Sequence, residues 1–160
     1  MKKSLLLCFL LLVSFCAFSQ RPLYRYYNAK IKKHYFTINF KEYGNGANGW
    51  AYEGVSCRVY PPDRGGPNIG PIFRFFNAQS GDHYYTTGKF ITRRDLIGYT
   101  AEGPVFCNYR NKTPGTIPLL EYYNAANGDH FYTADKRELG RGFDGYVFDN
   151  IAGYVFPRAE

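Results

Sequence analysis

Methionine and tryptophan occur once each in the 160-residue chain, and histidine three times. Of four cysteines, Cys8 and Cys16 fall in the apolar start, which leaves Cys57 and Cys107. Two cysteines do not make a disulfide scaffold, and a chain of this length can bury a core without one. Long hydrophobic runs are also scarce. Leu5 to Val13 is too short to cross a bilayer as a helix, and no later segment is long and apolar enough. The net charge of +7 is scattered, apart from Lys30, Lys32 and Lys33, whereas a nucleic-acid footprint needs a stripe or cluster. There is no H-E-x-x-H, no G-x-S-x-G and no P-loop. These absences set aside a disulfide-stapled miniprotein, a helical membrane protein, a nucleic-acid binder and the commonest hydrolase and nucleotide-binding designs.

What is present begins with a leader. Lys2 and Lys3 precede the apolar run, and Ala17-Phe18-Ser19 follows it as a small-x-small cleavage site. Residues 1–19 therefore read as a secretory signal peptide, and the protein is expected to be exported, to the periplasm or outside the cell. Acylation of Cys16 is an alternative, against which bulky Phe15 stands where a small residue is wanted. The rest, 20–160, is expected to be a single domain. Aromatics make up 19% of the chain, with 16 Tyr and 14 Phe, which favours strands. Gly 17 and Pro 9 suit frequent turns.

The dominant feature is internal repetition. Pro22-Leu-Tyr-Arg-Tyr-Tyr-Asn28 returns as Pro71-Ile-Phe-Arg-Phe-Phe-Asn77 and as Pro118-Leu-Leu-Glu-Tyr-Tyr-Asn124, at steps of 49 and 47 residues. Six positions after each Asn stands a histidine (His34, His83, His130), followed by two aromatics and a Thr. Each unit then runs through a polar stretch to Gly49, Gly98 or Gly145, restarts on Trp50, Tyr99 or Tyr146, and passes Glu53-Gly54, Glu102-Gly103 or Asp149-Asn150. The repeats span 22–61, 71–110 and 118–157. Tyr24 and Tyr26, Phe73 and Phe75, Leu120 and Tyr122 alternate with Arg25, Arg74 and Glu121, which is the period of a half-buried strand. That alternation assigns the first set to the core and leaves Tyr27, Phe76 and Tyr123 as the better candidates for exposed rings. Asn77-Ala-Gln-Ser-Gly-Asp82 and Asn124-Ala-Ala-Asn-Gly-Asp129 read as hairpin loops. The Glu-Gly pairs read as a second tight turn or a bulge.

About four short strands per unit, three units and a shared aromatic interior point to an all-β fold: a three-repeat β-trefoil-like barrel with short helical turns between strands. A propeller is disfavoured because it usually needs at least four blades. The ricin-type Q-x-W signature of trefoils is absent.

The pattern Y-Y-N-x-x-x-G-D-H-x-Y-T, followed by aromatic-x-x-E-G and a V-Y-P ending, resembles a secreted repeat family of unknown function. Those repeats occur in bacteria and fungi, often beside secreted hydrolases and peptidases. The resemblance covers Pro22 to Pro157 and implies binding of polymers or cell surfaces. The first unit departs from the pattern, with Lys32-Lys33 for Gly-Asp, so its hairpin is expected to use other chemistry. Cys57 and Cys107 sit one register apart in equivalent strands, which disfavours a disulfide between them.

The candidate ligand-binding residues are Asn77, Asp82, His83 and Tyr85 in the second unit, and Asn124, Asp129, His130 and Tyr132 in the third. Asp and His suit sugar hydroxyls, and a Tyr ring suits a sugar's C–H face. The competing reading has Asp closing the turn and His bonding a main-chain carbonyl. Convergence of the three histidines on one axis would suit zinc, but hairpin positions are expected to lie apart, so no metal or other cofactor is expected. Reactive residue types recur once per unit, whereas catalytic sites are usually asymmetric, so no enzyme is expected. The Lys30, Lys32, Lys33 group reads as a solvated loop. The leading expectation is a secreted, non-enzymatic, lectin-like module for glycans or cell-surface polymer. A protein-interaction or inhibitor domain using loop 61–70, with a secreted protein as partner, is the alternative, followed by an uncharacterised secreted hydrolase.

Overall fold

The computed structural model describes residues 19–88 and 96–158. Residues 1–18 of the expected leader lie outside them, as does much of the polar stretch of the second unit. Each unit contributes one antiparallel meander. In the first, β1 (Arg21–Asn28) lies between β2 (Lys33–Thr37) and β4 (Trp50–Val59), with the two-residue β3 (Gly46–Ala47) on the rim. In the second, β5 (Ile69–Asn77) lies between β6 (Asp82–Thr86) and β7 (Tyr99–Tyr109). In the third, β8 (Ile117–Asn124) lies between β9 (Asp129–Thr133) and β10 (Tyr146–Val155). The helical pieces are a 3-10 turn, Phe40–Glu42, and one α turn, α1 (Lys136–Leu139), each preceded by an N-cap, Asn39 or Asp135, that accepts a main-chain amide.

The structure is therefore all-β, as expected, in two antiparallel sheets. Each unit has one long outer strand where two short ones were expected, because Glu53, Glu102 and Asp149 are bulges inside β4, β7 and β10, not turns. No closed barrel is present among the described residues. Hydrogen bonding joins the three meanders into two antiparallel sheets, β2-β1-β4-β3 and β6-β5-β7-β10-β8-β9, with the second and third meanders linked by the single pair Tyr154–Tyr109. Each meander is a local sheet of its own, and the three meet pairwise along β2, β6 and β9. Large rings fill the space where the three inner strands meet. Phe36, Tyr85 and Tyr132, at the same position of β2, β6 and β9, meet edge to face with centroids 5.4–5.6 Å apart. At the other end, the outer strands close the ring through three equivalent main-chain bridges: Arg58 with Phe156, Tyr60 with Cys107, and Tyr154 with Tyr109.

The face expected in the core is only part of the interior: of its members Tyr26 and Tyr122 are fully buried, Tyr122 within the shared core. The shared core comes from Leu23, Ile72 and Leu119, with Phe36, Tyr85, Tyr132, Cys57 and Phe106. Arg25, Arg74 and Glu121 point the same way, into the junctions between sheets. Tyr26 is buried on the opposite face of its sheet, in a separate cluster with Tyr35 and Trp50. The alternation was real, but a meander buries residues on both its faces, so hydrophobicity alone did not say which face met the other units. Cys57 and Cys107 are both buried free thiols, and burial pushes the Cys57 thiol up to about 12.

Candidate functional site

The hairpins that carry the histidines are built alike. The Asn77 side chain accepts the amides of Gln79 and Ser80, and the Asn124 side chain that of Ala126. Asn28 does the same for Lys30 and Ile31. A Cβ on Gly49, Gly98 or Gly145 would stand 3.0 Å from the amide nitrogen of its own unit's Asn, which explains why each polar stretch ends on glycine. Lys32 adopts a φ of +54°, in the left-handed region used by Gly81 and Gly128. The first hairpin thus keeps the same turn despite its changed residues, contrary to expectation. Asn77 and Asn124 are turn-formers here, not open ligand groups.

Asp82 and Asp129 are fully buried, and each binds the histidine of the next sheet rather than its own neighbour in sequence. Asp129 accepts the His34 main-chain amide at 2.8 Å, its Nδ1 at 2.6 Å and the Tyr146 hydroxyl at 2.6 Å. Asp82 accepts the His130 amide at 3.1 Å, its Nδ1 at 2.7 Å and the Tyr99 hydroxyl at 2.5 Å. Burial alone would raise the Asp82 carboxyl, but His130 and Tyr99 together hold it below the usual carboxylate range. The histidines stack on Tyr27, Phe76 and Tyr123 of their own sheets at 4.7 Å. Tyr85 and Tyr132 are 1% and 2% exposed, so neither offers a face to a sugar. Their hydroxyls bond the main chain of the preceding sheet: Tyr85 at Phe36, and Tyr132 at Tyr85. Asp82, Asp129, His130, Tyr85 and Tyr132 thus serve as clasps between sheets, whereas Asn77 and Asn124 build turns and His83 Nδ1 has no hydrogen-bond partner among the described residues. His130, expected to bond a carbonyl, bonds a carboxylate across a junction. Lys33, expected in a solvated loop, is buried, and its Nζ donates to the Asn127 carbonyl at 2.6 Å.

Open space lies elsewhere, in a cleft of about 790 Å³ between the first and third sheets. At its centre Arg25 lies over the Phe131 ring at 5.0 Å and pairs with two carboxylates, Glu53 and Glu138, each at 2.9 Å. Glu53 also lies 3.7 Å from His34 Nε2, so the buried clasp reaches the wall of the cleft. Glu138 sits on α1 and accepts the Thr133 hydroxyl at 2.6 Å. Ser56, Asp135, Arg137 and Arg158 line the remainder. This site is not legible in the sequence, because nothing in the order of residues places Glu138 beside Arg25 and Glu53.

Among the described residues no helix is long and apolar enough to cross a membrane, and no group of three or more His, Cys, Asp or Glu could hold a metal ion. No curated protein and no solved structure matches the chain. A family model matches residues 22–156, which span all three meanders, and the chain therefore belongs to the domain-of-unknown-function family DUF5648.

Proposed function

We propose that this is an exported, non-enzymatic binding module for glycans or cell-surface polymer, and that its site is the Arg25 cleft, not the Asp–His pairs. The observation that carries the reading is the contrast in access. Asp82, Asp129, Tyr85 and Tyr132 are spent inside the ring, whereas Arg25, Glu53 and Glu138 stand together at the wall of an open cleft. A guanidinium between two carboxylates offers planar, charge-assisted donors and acceptors, which is what sugar hydroxyls take. Among the described residues no aromatic ring lines the cleft, so recognition runs through hydroxyls more than through stacking. Glycoside hydrolysis is not favoured. It needs a carboxylic acid that gives its proton to the leaving group, whereas Glu53 and Glu138 are both ion-paired with the Arg25 guanidinium.

The test is a glycan array probed with the folded protein and with Glu53→Gln. Binding that falls at least tenfold in the variant, at an unchanged melting temperature, supports the proposal. A glycan bound equally well by both proteins moves the site away from the cleft, and an array with no bound glycan removes the reading.

A further inference from the structure

The junction between the second and first sheets contains an internal counterpart of the cleft. Arg74 occupies the place of Arg25 and pairs with Glu102 at 2.6 Å, as Arg25 pairs with Glu53. It lies over the Tyr35 ring at 4.8 Å, as Arg25 lies over Phe131. Glu42 stands three residues after the N-cap Asn39, as Glu138 stands three after Asp135. One atom differs. Tyr35 has a hydroxyl, which accepts from Arg74 and donates to Glu42 Oε2 at 2.8 Å. Phe131 has none, and Arg25 and Glu138 meet directly.

From this comparison we infer that the cleft takes a neutral, hydroxyl-bearing saccharide, one hydroxyl of which enters between Arg25 and Glu138 and does there what the Tyr35 phenol does in the counterpart junction. The inference rests on the cleft being a glycan site and adds its mode of recognition. The incoming oxygen accepts from the guanidinium and donates to the carboxylate, so neither charge is left unpaired when their direct contact opens. Glu138 is able to give way, because its side chain is about one-third exposed and sits on a single helical turn. A carboxylate ligand would face Glu53 and Glu138 together, and an ammonium ligand would face Arg25. A neutral hydroxyl satisfies both signs at once.

Phe131→Tyr tests this, because it builds the hydroxyl into the protein. The probes are cellobiose, chitobiose and mannobiose, titrated into the folded chain while the Arg25 and Arg74 Nε–H signals are followed by NMR. In the wild type, a disaccharide that binds shifts the Arg25 signal and leaves Arg74 in place. In Phe131→Tyr the Arg25 signal starts displaced towards that of Arg74, the melting temperature is equal or higher, and affinity falls at least tenfold. Glu138→Gln, which keeps the shape but weakens the acceptor, lowers affinity several-fold and serves if Phe131→Tyr does not fold. Wild-type affinity in both variants, with binding still abolished by Glu53→Gln, overturns the hydroxyl position and leaves the cleft as the site. No response of Arg25 to any of the three sugars overturns the inference outright, and the array decides separately whether another glycan is bound.

Discussion

Two of the three junctions between sheets are built one way and the third another. Where the first sheet meets the third, and the third meets the second, a buried aspartate takes a histidine amide, a histidine Nδ1 and a tyrosine hydroxyl. Where the second sheet meets the first, the aspartate is Lys33 and the tyrosine is Trp50. His83 is left with a buried Nδ1 that has no hydrogen-bond partner among the described residues. Lys33 turns instead to the Asn127 carbonyl and lies 4.0 Å from Asp82. Burial lowers the Lys33 pKa, and Asp82 and Asp129 partly restore it. The two substitutions belong together. A tyrosine hydroxyl at 50 would lose its carboxylate acceptor, and a third aspartate would crowd a third negative charge beside two buried ones. A charge-reversed module closes the ring by giving up one clasp.

The largest effect should come from breaking a complete clasp. Asp129→Ala leaves two buried donors of His34 and the Tyr146 hydroxyl without their acceptor, and should cost about 3–5 kcal/mol in denaturant unfolding. Lys33→Met, at the equivalent position of the incomplete junction, should cost less than half as much. Equal losses would mean that the junctions do not differ in the way described.

The incomplete junction should also govern part of the acid sensitivity. Burial, with Arg74 and Lys33 adding to it, drives His83 down to about 4 from the ordinary 6.5. Between these values the unfolded chain binds a proton that the folded chain refuses. The His83 contribution is therefore complete above pH 6.5 and is lost as pH falls towards 4, by roughly 3 kcal/mol. His83→Phe should flatten that part of the stability profile, read by chemical denaturation at successive pH values, and a profile identical to the wild type would contradict this origin. The smallest and most diagnostic change is a repair. Lys33→Asp with Trp50→Tyr supplies the missing carboxylate and its hydroxyl partner, and should raise the His83 pKa by a unit or more in an NMR titration. A His83 that still titrates near 4 would show that the third junction cannot form the clasp.

The hairpins were legible because their chemistry is local. Asn77 and Asn124, the glycines at 81 and 128, and the histidine spacing all act within a few residues. The bulges were half legible, since Glu53-Gly54 and Glu102-Gly103 signalled an irregularity without saying turn or bulge. The partners of the histidines were not legible at all. Asp82 stands next to His83 in sequence, and successive strand residues face opposite sides, so its true partner, His130, is 48 residues away on the neighbouring sheet. The burial of Lys33 was hidden for the same reason, because a lysine beside two others reads as solvated until Asn127 and Asp82 are brought to it.

The order of residues alone determined three equivalent units, antiparallel hairpins and a strand-rich, aromatic interior, because periodicity and turn chemistry act along the chain. Only the tertiary structure decided that β2, β6 and β9 meet one another, that Arg25, Arg74 and Glu121 lie in the junctions between units, and that Glu138 meets Arg25. Those outcomes depend on which surface of one unit covers which surface of the next, and when both faces of a sheet become buried, alternation along a strand carries no information about that choice.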